Sequence, residues 1–307
     1  MKEFFAMEKT QELSGLVIVN KEEGITSQGV VNRVKRIFGV AKAGHTGTLD
    51  PMATGVLPVL IGRGVKASEF MLTSNKHYGA TLLLGVTTDT EDVTGTVIEE
   101  REVDLTEDEV LCAISGFVGE IMQTPPMYSA LKVGGKKLCD LARKGEVIER
   151  EARPVTVYSI DARRINDREY YLDVVCSKGT YIRTLCADIG KALNVGGTMK
   201  TLTRLTASGY SIQEARTLAE LEAMSEVERR ALVYPVEDVF KKYELVTLPD
   251  FFARLARAGQ EIYLHKIKKD LKLGDVVRIA DVNGFFAVGE VKEFEDNKLA
   301  IKPIRQF

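Results

Sequence analysis

Strand-like and helix-like runs follow one another along this chain without the regular strand–helix–strand alternation that builds a parallel sheet. "GLVIVN" (residues 15–20) reads as a short buried strand. "TSQGVVNRVKRIFG" then carries Val30, Val31, Val34, Ile37 and Phe38 at helical spacing, with Thr26 or Ser27 as N-cap and Gly39 as stop. A loop rich in glycine and threonine, "GHTGTLDPMATGVLPV" (44–59), precedes a strand from Tyr78 to Leu84 and a returning strand, "TVIEE". Thr106 and Glu109 form a capping box before a helix bearing Val110, Leu111, Ile114, Phe117 and Val118. Two prolines, a glycine pair and a basic cluster mark residues 124–153 as an excursion from the core. "VTVYSIDARRI" and "EYYLDVVCSKG" are strand-like; a helix with Ile182, Leu185, Cys186, Ile189 and Leu193 on one face follows. "TMKTLTRLTASGYS" reads as a further strand, and residues 214–245 as helical and acidic. Near residue 250 the pattern turns to short β-type runs divided by Asn283-Gly284 and "EDNK". The order predicts an α+β body over 1–248 and a small all-β module over 249–307.

Composition narrows the function classes. The N-terminus is too polar for a signal peptide, and no stretch approaches the roughly 18 apolar residues of a membrane span. Four scattered cysteines without a CxxC pair read as free thiols in a reducing cytoplasm. With three histidines in 307 residues, a histidine-based metal site or triad is disfavoured. The 44–59 loop lacks both a GK[ST] ending and a GxGxxG pattern, which disfavours a nucleotide cradle. Net charge is −2, yet its distribution is uneven. Residues 86–109 hold ten acids against one base, whereas 132–153 hold seven bases against four acids. Acidic segments can mask a basic face, so a polyanionic partner is compatible with the total.

Asp50 is the one carboxylate in its loop. Its plainer reading is an Asp-Pro turn; the functional one is a nucleophile or base held between apolar walls. A buried carboxylate stays ionised when a cation or several donors offset its desolvation. Arg183, on the otherwise apolar "GTYIRTL", is a candidate cation, although a surface arginine at a helix start is the plainer reading. Tyr78 reads either as an edge-of-core tyrosine or as a ring that stacks on a planar substrate. His45, between Gly44 and Thr46, is a turn residue by pattern, and the basic excursion a solvated surface.

Taken together, these segments resemble the TruB family, the pseudouridine synthases of tRNA position 55. "GHTGTLDPMATGVLPV" resembles the family's signature loop, and "KHYGATLLLGVTTDTEDVTG" its tyrosine strand and acidic loop. "PPMYSALKVGGKKLCDLARKGEVIEREARPV" resembles its RNA-gripping insertion, "SKGTYIRTLCADIGKAL" its arginine segment, and "LTRLTASGYS" its leucine-bearing strand. The C-terminal runs resemble a PUA-type RNA-binding module, so the likeness covers nearly the whole chain. Thr203, where the family often has a second basic residue, and Cys139, where an aromatic is common, are its mild departures.

The resemblance implies a mixed, mainly antiparallel central sheet with flanking helices. It implies Asp50, Tyr78 and Arg183 as catalytic residues. His45, Tyr181 and Leu202 would line the nucleoside site, and Lys66, Asp92 and Lys132 would support it or contact RNA. It also implies a cytoplasmic monomer acting on the T arm of tRNA, with neither cofactor nor metal. A non-catalytic RNA-binding or tRNA-folding protein on the same scaffold is the alternative, ahead of a nucleoside hydrolase and of a guide-RNA-dependent synthase.

Overall fold

The apolar run of the first strand, Gly15–Lys21, is explained by what covers it. In the structure, a computed structural model, Leu16 and Ile18 enter one core while Val17 and Val19 enter another, on the opposite face. Burial on both faces removes the polar alternation expected of a half-exposed strand. The structure describes residues 13–71, 75–129, 131–294 and 297–307, and of Lys132 and Lys137 the backbone alone.

Gly15–Lys21 lies at one edge of a nine-stranded sheet. Beside it, in order, run Thr54–Ile61, Gly197–Ala207, Lys76–Leu84, Glu169–Cys176, Arg153–Arg164 and Gly119–Gln123. Every pair along that path is antiparallel except Thr54–Ile61 with Gly197–Ala207. The sheet is therefore mixed and mainly antiparallel, in an α+β fold. At its far end one face alone is covered: Tyr170, Leu172, Val174 and Cys176 are buried, and the residues between them are partly exposed. Helices Glu107–Ser115 and Ile182–Ala192 supply that cover through Val110, Ile114, Leu185 and Ile189. The second helix presses closely on the sheet. A Cβ on Gly190 would lie 2.2 Å from the backbone N of Gly197, so only glycine fits.

Helix Ser27–Phe38 starts at Thr26, whose hydroxyl accepts the Gly29 N–H, and stops at Gly39 in the left-handed region. The expected capping box of Thr106 and Glu109 is formed. Two expectations are revised. Half of the 44–59 loop is strand: Thr54–Ile61 runs through Pro58, which sits opposite Ile18. Pro58 lacks an N–H, but its carbonyl accepts the Thr46 N–H at 3.2 Å, so the strand tolerates it. The acidic 214–245 stretch forms two six-residue helices, Leu218–Ala223 and Glu226–Ala231, and a 3-10 turn, Val236–Phe240. Thr217 and Ser225 each start a new capping box, which divides it. Beyond it, a five-stranded sheet runs from Glu244–Thr247 to Lys298–Gln306, accompanied by helices Asp250–Arg257 and Leu264–Ile267.

That sheet is joined to the body by an aromatic cluster. Phe240 packs on Phe70, Tyr243, Phe285 and Phe307, in one core with Leu16 and Ile18. Arg305 pairs with Glu69 across the same junction. No helix among the described residues is long and apolar enough to cross a membrane.

Candidate active site

Asp50 stands on a turn that is fastened at both sides. Ser27 Oγ accepts the Leu49 N–H (2.8 Å) and donates to the Leu49 carbonyl (3.0 Å). After the turn, Ala53 N–H donates to the Asp50 carbonyl and Gly24 N–H to that of Pro51. Lys21, fully buried, donates from Nζ to the carbonyls of Glu22, Pro51 and Ala53 at 3.0, 3.0 and 2.5 Å. Gly55 follows at φ +102°, where a Cβ would strike the Arg204 carbonyl at 2.3 Å. The geometry leaves the Asp50 side chain 32% exposed, on the wall of a cleft of about 580 Å³.

Its partner is Arg183, in the first turn of Ile182–Ala192 and almost wholly buried. Nε lies 3.0 Å from Asp50 Oδ2, and Nη2 donates to Oδ1 at 3.4 Å, a two-pronged contact. The remaining N–H groups reach the Thr90 carbonyl (3.1 Å), Asp92 Oδ2 (3.5 Å) and the Tyr128 carbonyl (2.7 Å). Asp92 is itself oriented by Thr94, whose N–H and hydroxyl both donate to Oδ1. Burial raises the Asp50 carboxyl above its ordinary value; Arg183 pulls it down, Asp92 pushes it up and Lys21 opposes that push. Burial also lowers Lys21 to about 8, with Asp50 working against the fall.

Tyr78 enters the cleft from the central strand, 7% exposed, and burial raises its hydroxyl pKa. Arg204, opposite it on the next strand, counters that rise through its charge. Tyr181 and Leu202 also line the cleft. Buried Gln123 fixes Tyr181 from both sides, donating to its carbonyl (3.1 Å) and accepting its N–H (3.0 Å).

The structure thus gathers Asp50, Arg183, Tyr78, Tyr181 and Leu202 around one cleft, with Asp92 behind Arg183. It does not place His45 or Lys66 on the cleft lining. His45 is in the short strand Ala43–His45, and its Nδ1 accepts the Gly47 N–H at 3.4 Å. Lys66 instead donates to the Gln306 carbonyl, at the junction with the C-terminal sheet. Lys132 belongs to the ribbon Lys132–Val133, and its side chain lies outside the described residues. Sequence reasoning missed Lys21, Gln123 and Arg204, whose partners come from distant segments. The signal that was present is a charged or amide side chain within a run of strand residues.

Five cations line the cleft: Lys76, Arg153, Lys178, Arg183 and Arg204. Asp50 is their one carboxylate counterpart among the described lining residues. No group of three or more His, Cys, Asp or Glu side chains placed to hold a metal occurs among the described residues.

Comparison with known proteins decides the family. Residues 35–182 match the N-terminal domain of the TruB family of pseudouridylate synthases, and 183–241 the C-terminal domain of tRNA pseudouridylate synthase B. The tRNA pseudouridine synthase B of Clostridium tetani is 40% identical over 279 residues, 91% of this chain and 96% of that one. This chain belongs to the TruB family. Its counterpart in Clostridium kluyveri is 42% identical over 287 residues, covering 92% and 97% of the two chains. Likeness extends to a chain in the structure of a Cbf5-Nop10-Gar1 complex, with a TM-score of 0.69 and 27% identity over 95% of this chain and 84% of that one. As a TruB family member the protein is an enzyme, a pseudouridine synthase, and the carboxylate-bearing cleft is the place to seek its chemistry.

Proposed function

We propose that the protein converts uridine 55, in the T loop of tRNA, to pseudouridine, with Asp50 as its catalytic carboxylate. The observation that carries the reading is the two-pronged Arg183–Asp50 contact beside buried Tyr78, in a cleft with no second described carboxylate. The family supplies the reaction, and the names of the relatives supply tRNA as substrate.

The reaction is an isomerisation: the N-glycosidic bond breaks, uracil turns, and C5 bonds to the sugar. A glycosidase commonly places two carboxyl groups roughly 5 to 9.5 Å apart, one to protonate the leaving oxygen. Retaining the detached base calls instead for one ionised acid and for walls that keep water away. Asp50 initiates cleavage by attack on C1′, by removing the C2′ proton, or by adding to the base. Arg183 keeps it ionised and aimed. Tyr78 stacks on the uracil and its hydroxyl takes the C5 proton at the end, while Tyr181 and Leu202 shape the nucleoside site. Burial raises the Asp50 carboxyl and Arg183 draws it back down, which favours the ionised form.

The target must leave its stack, at a cost of about a few kcal/mol. Contacts to flanking phosphates from Arg153 and Lys178 of the cleft and from the rest of the 124–153 insertion offset that cost, with a salt-dependent affinity. Residues 249–307 act as a PUA-type RNA-binding module. The working unit is a monomer.

The test is tritium release from C5-labelled uridine in a T-arm transcript. Wild type should release tritium from the T-loop uridine and Asp50→Asn should not. Absence of release from wild type, or undiminished release from Asp50→Asn, overturns the reading.

A further inference from the structure

Arg204 and Arg183 are both buried arginines of the cleft, yet their surroundings differ. Arg183 has two carboxylates, Asp50 and Asp92. Arg204 is 1% exposed and forms no ion pair with any described carboxylate. Its Nε donates to the Val56 carbonyl (2.8 Å) and its Nη2 to the Gly47 carbonyl (3.2 Å), on the two sides of the Asp50 turn. A Cβ on Gly47 would lie 3.5 Å from Nη1, so the guanidinium lies close against this turn. Lys76, in the same cleft, adds positive charge, and Arg204 contributes to lowering its pKa.

A buried guanidinium without a carboxylate is costly, because neutral carbonyls offset only part of its lost hydration. The acidic group directly across the strand pair, on the same cleft, is the Tyr78 phenol. At 1% exposure Arg204 offers almost no surface to an RNA phosphate, which favours the phenol as the group it serves. We propose that Arg204 is a positioning residue for the last proton transfer, holding the Tyr78 oxygen and stabilising it in the anionic form that takes the C5 proton.

The step balances as follows. Once C5 is bonded to C1′, it carries both that bond and its hydrogen, and N1 is doubly bonded to C6. The C5 proton passes to the Tyr78 oxygen, the C5–H electron pair becomes the C5=C6 bond, and the displaced pair moves to N1. N1 then takes a proton from solvent, and the phenol returns its own to solvent. A cation fixed beside the phenol favours the charged oxygen.

The proposal rests on the reading of Tyr78 as the C5 base, and a double-variant cycle separates the two. Arg204→Gln, Arg204→Lys, Tyr78→Phe and Arg204→Gln/Tyr78→Phe are compared in single-turnover reactions on T-arm transcripts with protium or deuterium at uridine C5. Thermal unfolding checks each fold. Arg204→Gln should slow turnover about tenfold to a hundredfold, leave RNA affinity within about threefold, and make the C5 isotope effect larger. It should add no further loss to Tyr78→Phe. If Arg204→Gln does not fold, Arg204→Lys, which keeps the charge but not both bonds that fix it, should show a smaller rise in the isotope effect. Multiplying losses in the double variant, or an unchanged isotope effect in a folded Arg204 variant, overturn the role of Arg204. Lost affinity at undiminished turnover overturns it too and assigns Arg204 to RNA phosphate. Tyr78→Phe retaining wild-type rate and isotope effect overturns the underlying reading of Tyr78 instead.

Discussion

The cleft lies between two walls of different construction. On the side that carries Asp50, the side chains of Asp50, Arg183, Arg204 and Lys21 are held by hydrogen bonds that cross from strand to turn to helix. The insertion opposite is built on a small cluster, Met127, Leu138 and Leu141, with one ribbon of two two-residue strands, Lys132–Val133 and Lys136–Lys137. It is tied to the body by the Tyr128 carbonyl on Arg183 and closed on itself by the Pro125 carbonyl, which accepts from Arg150. Each side also presents a buried hydroxyl with no described partner, Thr46 and Ser129, both on the cleft lining. Under the proposed function the contrast separates two tasks: groups that do chemistry must be preset, whereas groups that grip a folded RNA can settle on it.

Substitutions can break this contrast. The largest effect should come from Arg183→Ala, which leaves Asp50 without its cation. Turnover should fall about a hundredfold to a thousandfold while RNA affinity holds; the reverse pattern in single-turnover and binding assays would move Arg183 to the gripping side. The same pair sets a pH signature. Because burial raises Asp50, the acid limb of turnover should lie above the ordinary value of about 3.9. Arg183→Gln removes the lowering influence, so the limb should move further up.

Next in size is the insertion. Reversing charge at exposed Lys136 and Lys144 should weaken tRNA binding about tenfold or more and flatten the salt dependence by about two contacts. Turnover at saturating RNA should not change. A loss of rate there would mean that the insertion shapes the chemistry as well.

Lys21→Met orphans three carbonyls and should cost about 1 to 3 kcal/mol in urea unfolding at neutral pH. It carries its own sign. Lys21 titrates near 8 in the folded protein and at 10.5 ordinarily, so between those values the unfolded chain binds more protons. Wild-type stability should gain a rising contribution across that window, and Lys21→Met should remove it. The smallest effect should be Lys66→Ala, which removes one exposed bond to the Gln306 carbonyl: about 1 kcal/mol or less of stability.

Local chemistry was legible in the sequence, and contacts between distant segments were not. The Thr26 cap, the Gly39 stop and the Thr106–Glu109 box depend on neighbours within a few residues, and each forms as expected. The hairpin at Asn283-Gly284 also forms, with Val282 and Asn283 as its turn residues and Gly284 opening the return strand. Thr54–Ile61 was hidden because Pro58 argues against a strand until its neighbours are known. Asp50 stood out within its loop, and resemblance paired it with Arg183. Arg204 did not stand out, since its meaning depends on Gly47, Val56 and Tyr78, each more than a hundred residues away.

The aromatic junction has a consequence for how the chain matures. Leu16 and Ile18 emerge from the ribosome early, yet they share a core with Val288, Phe285 and Phe307. Until those late residues arrive, the core that the first strand shares with Val56, Leu60 and Phe240 lacks part of its cover, a state that invites aggregation or chaperone capture. A message cut short before this point would yield a chain with its early core unsealed, and the cell's proteases could remove it before it met tRNA.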